Sequence, residues 1–106
     1  MLRDLAPAGF NAGREGVMMS GRTSEHQVTV LVQRKAIEKA FPKIASTSQC
    51  VAFVERNVDS LRAIVNGRLK AGTMIEFAIN RGWPERAIFV ELTGSNLTRS
   101  KRWFTP

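Results

Sequence analysis

Residues 46–72, STSQCVAFVERNVDSLRAIVNGRLKAG, constrain the fold of this chain more than any other stretch. Val51, Val54, Val58, Leu61 and Val65 recur at alternating steps of three and four, so on a 3.6-residue helix they form one apolar stripe. Cys50, Ile64 and Leu69 widen it. Ser46 and Gln49 have the spacing of a capping box, and Gly72 suits a left-handed helix end. The spacing predicts one long central helix with a core to be covered. Gly67 is its weakest interior position, because glycine costs about 1 kcal/mol relative to alanine in a helix.

Two runs of strict alternation flank pieces of this kind. The segment 16–21 and the run 27–32, separated by a polar turn, read as a β-hairpin in which Val28, Val30 and Val32 face the helix. The segment 34–41 places Ala36, Ile37, Ala40 and Phe41 at helical spacing, and Pro42 stops it. The runs 73–79 and 87–92 alternate again across the Gly- and Pro-containing loop NRGWPER and predict a second hairpin. The expected order is ββααββ, an α+β fold with a mainly antiparallel four-stranded sheet and helices on one face. Residues 1–13 read as an irregular lead-in with Phe10 docking on the body, 14–97 as the single α+β domain, and 98–106 as a basic and aromatic tail.

The residues that carry this order resemble the domain-of-unknown-function 1488 family of small, mostly proteobacterial proteins. Phe10, the charged pair Arg14 and Glu15, the segment Val17, Met18, Met19, Ser20, Gly21, the alternating run 28–32, and Ala36 with Ile37 follow the family's sequence of features. Phe53 to Asn57, FVERN, is similar to its Phe-x-x-Asn-Arg-like entry to the middle of the long helix. Met19 stands where an aromatic is usual, Gln33 where a Ser or Thr cap is usual, and Asn96-Leu97 where the family ends acidic. The resemblance spans residues 10–97 and leaves TRSKRWFTP outside the pattern. It implies an α+β fold and a bacterial, cytosolic source, and it implies no activity.

With 106 residues, 43% of them hydrophobic, the chain is long enough to bury a core without a disulfide or a metal. One cysteine forms no internal disulfide, and the first 21 residues lack the continuous apolar run of a secretory signal, so a reducing cytoplasm is the expected location. No run reaches the roughly 18 apolar residues of a membrane span, and no membrane partner is expected. The net charge of +7 is compatible with an anionic partner, although the excess accumulates gradually through Arg34, Lys35, Lys39, Lys43, Arg62, Arg68 and Lys70 before the tail.

The residues for catalysis are few. His26 is the only histidine and sits in a predicted turn, and Cys50 is the only cysteine and falls beside the apolar stripe. These positions suit a solvated turn residue and a small buried hydrophobe better than a Cys-His dyad. Glu55 and Asp59, one helical turn apart, suit a solvated face, and neither a metal-ligand spacing nor a phosphate-cradling glycine loop occurs. The expectation is therefore a non-enzymatic domain with no cofactor, no metal and no small-molecule ligand.

Two binding readings remain. If the valines point at the helices, the same period sends Leu31, Met74 and Phe89, with Met18 beside them, to the opposite sheet face, where they would form a contact surface for a protein partner or a second copy of the chain. In the tail, Arg99, Lys101 and Arg102 offer phosphate contacts beside Trp103 and Phe104, which can stack on unpaired bases. The protein-interaction or self-association module is the first expectation, and the nucleic-acid-binding module is the alternative.

Overall fold

A computed structural model describes the backbone of residues 2–23, 26–71, 76–78 and 87–105, and the side chains of these outside 69–71, 76–78 and 87–89. The first predicted hairpin is formed by β2 (Gly16–Arg22) and β3 (Gln27–Gln33), which pair antiparallel with Met19 opposite Val30. Val28, Val30 and Val32 are fully buried against the helices, as their alternation requires. The short first helix is α1 (Arg34–Ala40), which buries Ala36, Ile37 and Ala40. Its predecessor Gln33 makes no side-chain cap. Instead the carbonyl of Glu15 accepts the Arg34 N–H at 2.9 Å, which satisfies one donor of the first turn.

The long stripe is split. It forms α2 (Thr47–Arg56) and α3 (Val58–Ala71), with the break at Asn57 and an unbroken helix through Gly67, the position expected to be weakest. The Asn57 side-chain amide donates to the Phe53 carbonyl at 2.8 Å, in competition with the backbone ladder, which is how asparagine disfavours helix interiors. The capping box at the start is present: the Gln49 N–H donates to Ser46 Oγ at 3.2 Å, and Gln49 Oε1 accepts the Ser46 N–H at 3.1 Å. Along the two helices the fully covered positions are Cys50, Phe53, Val54, Leu61 and Val65, while Val51, Val58 and Ile64 are half-buried.

The second predicted hairpin is represented by β4 (Glu76–Ala78) and β5 (Ala87–Leu92), paired antiparallel, with residues 73–75 and 79–86 outside the described residues, as is the helix end expected at Gly72. β5 also pairs with β3, in parallel, with Val30 opposite Val90. The sheet is mixed, in the order β1-β2-β3-β5-β4. The expected mainly antiparallel four-stranded arrangement is corrected in two respects. A parallel pair joins the two hairpins, because the helices between them carry the chain across the sheet. A fifth strand, β1 (Ala6–Asn11), pairs antiparallel with β2 where an irregular lead-in was expected. Its register shifts between Pro7 and Gly9, with Gly9 at φ +94°, and this bulge masked the strand's alternation.

The residues beyond 97 are likewise part of the body. α4 (Gly94–Arg99) buries Leu97, a 3₁₀ turn follows over Lys101–Trp103, and Phe104 enters the core, which corrects its reading as a residue open to stack on bases. Phe104 lies in an aromatic cluster with Phe41 and Phe53, with ring centroids 5.1 to 6.1 Å apart. No helix of the described residues is long and apolar enough to cross a membrane.

Candidate nucleic-acid interface

The exposed basic and aromatic residues near the C-terminus owe their position to two buried anchors. Leu97 is fully buried and Phe104 nearly so, which fixes both ends of the segment between them. Arg99, Lys101, Arg102 and Trp103 are all left at the surface. Trp103, at 54% exposure, is the exposed large hydrophobic side chain among the described residues. Its backbone is held in place, since its N–H donates to the Ser100 carbonyl at 2.9 Å and its carbonyl accepts from Ser60 Oγ at 2.8 Å. Lys101 folds back so that Nζ lies 5.5 Å from the centroid of the Phe41 ring, in cation-π contact.

The start of α4 is equally constrained. Asn96 Oδ1 accepts the Thr93 N–H at 2.9 Å. Gly94 lies against the aliphatic stem of Lys39, whose Cδ would be 3.0 Å from a β-carbon placed there. Packing of α4 on α1 therefore brings Lys39, with Lys35 one turn earlier on the same helix, to the side of the molecule that carries the tail residues. Lys43 follows in the exposed loop after Phe41. Glu38, the acidic residue of α1, is bound to Arg34 Nε at 2.8 Å, and this hydrogen bond raises the Arg34 guanidinium pKa further.

Three other cations, Arg34, Arg62 and Arg68, have partners of their own. Arg34 also donates to the Ala45 carbonyl at 2.9 Å, Arg62 pairs with Asp59 at 2.5 Å within α3, and Arg68 donates to the Glu91 carbonyl at 2.6 Å. The basic surface is therefore formed by α1, the loop after it, α4 and the 3₁₀ turn.

The apolar patch expected on the outer sheet face takes a different form. Leu31 is 3% exposed, which corrects its assignment as an exposed contact residue. It sits on the strand face away from the main core, opposite Met18, and its Cδ1 lies where a Gly16 β-carbon would be, at 2.6 Å. Gln33 and Glu91 hydrogen bond to each other on the same face. Met74 lies outside the described residues. Phe89 occupies a position in β5 opposite Thr29 and Glu76, and its side chain is outside the described residues.

His26 lies in the turn before β3, where its N–H donates to Thr23 Oγ1 at 3.0 Å. Cys50 is buried, and desolvation pushes its thiol pKa up, with Arg34 opposing and Glu38 reinforcing the shift. A buried thiol held in its neutral form is a poor nucleophile. Glu55 and Asp59 are exposed, and no cluster of three metal-ligating side chains occurs among the described residues. In the sequence Lys35 and Lys39 are only part of a dispersed basic excess. Their proximity to the tail depends on helix packing between segments about 55 residues apart, for which the sequence contains no local signal.

No family, curated protein or solved structure matches the chain.

Proposed function

We propose that this protein is a non-enzymatic binding module for single-stranded nucleic acid. The observation that carries this reading is Trp103, presented to solvent on a pinned backbone directly after the exposed cations Arg99, Lys101 and Arg102. An exposed aromatic side chain in a basic segment suits unpaired bases, because stacking is tolerant of sequence while the phosphates are neutralised by Lys and Arg. Lys35 and Lys39 extend the positive surface along which a backbone can run. The competing reading, in which a protein partner or a second copy docks on the outer sheet face, has lost Leu31 from its contact patch. A cytosolic setting accords with the single, buried cysteine.

Fluorescence anisotropy of a labelled thymidylate oligomer, titrated with the protein over a range of salt concentrations, tests the proposal. Binding should weaken linearly on a logarithmic scale as salt rises, and Trp103→Ala should weaken it at every salt concentration without lowering thermal stability. Absence of binding at low salt, or equal binding by the Trp103 variant, would overturn it.

A further inference from the structure

An open groove of about 390 Å³ lies between α2 and the loop that follows α1. Four of its lining residues, Gln49, Ala52, Phe53 and Arg56, stand on one face of α2 at intervals of three and four. Lys43 and Ile44 form the opposite wall. Ile44 and Phe53 are buried and make an apolar floor, Ala52 contributes a methyl group, and Lys43 and Arg56 stand exposed at the rims. Among the described residues no carboxylate lines the groove. Its volume falls within the range of small-ligand sites, and an apolar trough edged by cations is complementary to a flat apolar group attached to an anion.

The loop wall is built rather than loose. The Ile44 N–H donates to the Phe41 carbonyl at 2.9 Å, the Ala45 carbonyl accepts from Arg34, and the Ala45 and Ser46 N–H groups both donate to Gln49 Oε1. Phe53, in the floor, is also a member of the cluster with Phe41 and Phe104, and Phe104 directly follows Trp103. Lys101 lies over the Phe41 ring, two residues before Lys43 in the wall. The groove floor and the residue that follows Trp103 thus belong to one aromatic cluster, with Lys101 over the ring that precedes the groove wall.

We infer that this groove is a second nucleotide subsite of the same interface, in which a base of the strand lies on Ile44, Ala52 and Phe53 and the neighbouring phosphates meet Lys43 and Arg56. The inference rests on the proposed binding of single-stranded nucleic acid and adds to it a minimum length: a strand must reach past Lys101 to occupy both subsites. Short oligomers use the Trp103 surface alone.

The test compares a labelled thymidylate trimer and a nine-residue thymidylate oligomer, using the full chain and three variants. Ala52→Phe fills the groove from an exposed helical position, Lys43→Ala removes a rim charge, and Trp103→Ala removes the first subsite. The groove variants should weaken binding of the longer oligomer about tenfold, within the range for loss of one stacked base, and leave trimer binding unchanged. Trp103→Ala should weaken both. If Trp103→Ala weakens binding while both groove variants bind the longer oligomer like the native chain, the groove inference fails and the proposed function stands. If the native chain binds neither oligomer at low salt, or poly-glutamate displaces the oligomer at equal charge concentration, both fail. Thermal melting reports whether each variant is folded, and Lys43→Ala, in an exposed loop, carries the test if Ala52→Phe disturbs α2.

Discussion

Asn57 and Thr105 clasp each other across the break between α2 and α3: Asn57 Oδ1 accepts the Thr105 N–H at 2.7 Å, and Asn57 Nδ2 donates to the Thr105 carbonyl at 2.7 Å. The same amide nitrogen donates to the Phe53 carbonyl, so one buried side chain serves the helix break and the C-terminal segment together. Nine residues on, Asn66 Oδ1 accepts the Leu2 N–H at 2.9 Å. The long helical region therefore holds segments from both ends of the chain by side-chain amides.

Replacing Asn57 by alanine removes both partners of Thr105 and leaves part-buried backbone groups without them. The expected loss of stability is about 1 to 3 kcal/mol, measured by urea denaturation. Asn57→Asp should be nearly as damaging, because a carboxylate accepts but does not donate and would face two carbonyl oxygens. A loss under about 0.5 kcal/mol, the scale of an ordinary surface change, would mean that the clasp does not hold the C-terminal segment.

Leu61 is fully buried on α3, whereas Val51 on α2 is only half-buried. Leu61→Ala should cost about 2 to 5 kcal/mol through lost contact and an unfilled cavity. Val51→Ala should cost clearly less. Equal costs in chemical denaturation would show that the core face is not the one these burials define.

Gly16→Ala tests the covered face of the sheet. A β-carbon there would lie 2.6 Å from Leu31 Cδ1 and 2.7 Å from the Val32 carbonyl oxygen. The expected cost is about 1 to 3 kcal/mol by overpacking. Adding Leu31→Ala should not restore native stability, since the carbonyl contact is with backbone. Full recovery in the double variant would assign the whole clash to Leu31.

Cys50 makes stability depend on alkaline pH. Burial is the main cause that raises its pKa above the ordinary 9.0, so the folded chain keeps a proton that the unfolded chain releases. This contribution is complete below the unfolded pKa and is lost as pH rises through the folded one. Between neutral pH and pH values above about 9, the denaturation midpoint of the native chain should therefore fall more than that of Cys50→Ala. Identical pH dependence in the two proteins would remove Cys50 as the source.

Removing residues 98–106 should destabilise the fold, because Phe104 and the Asn57 clasp are lost with them. Point substitutions separate binding from folding. The triple replacement of Arg99, Lys101 and Arg102 by alanine should leave thermal stability close to native and reduce the salt slope of single-strand binding by about 2 if all three meet phosphates. An unchanged slope would place the phosphate contacts elsewhere.

Local chemistry determined much of this protein without reference to its tertiary structure. Alternation placed Val28, Val30 and Val32 on the buried face of β3, and the capping pair Ser46 and Gln49 marked the start of α2, because both signals depend on side chains within a few residues of one another. The bulge at Pro7 and Gly9 interrupted that local periodicity and hid β1. The remaining features arise between distant segments. The parallel pairing of β3 with β5, the cover over Leu31, and the outward display of Trp103 between buried Leu97 and Phe104 all depend on what the chain brings alongside. Asn57 joins the two levels: its side chain competes with its own helix locally, but the partner that makes a buried amide stable is Thr105, 48 residues away, and only tertiary packing could supply it.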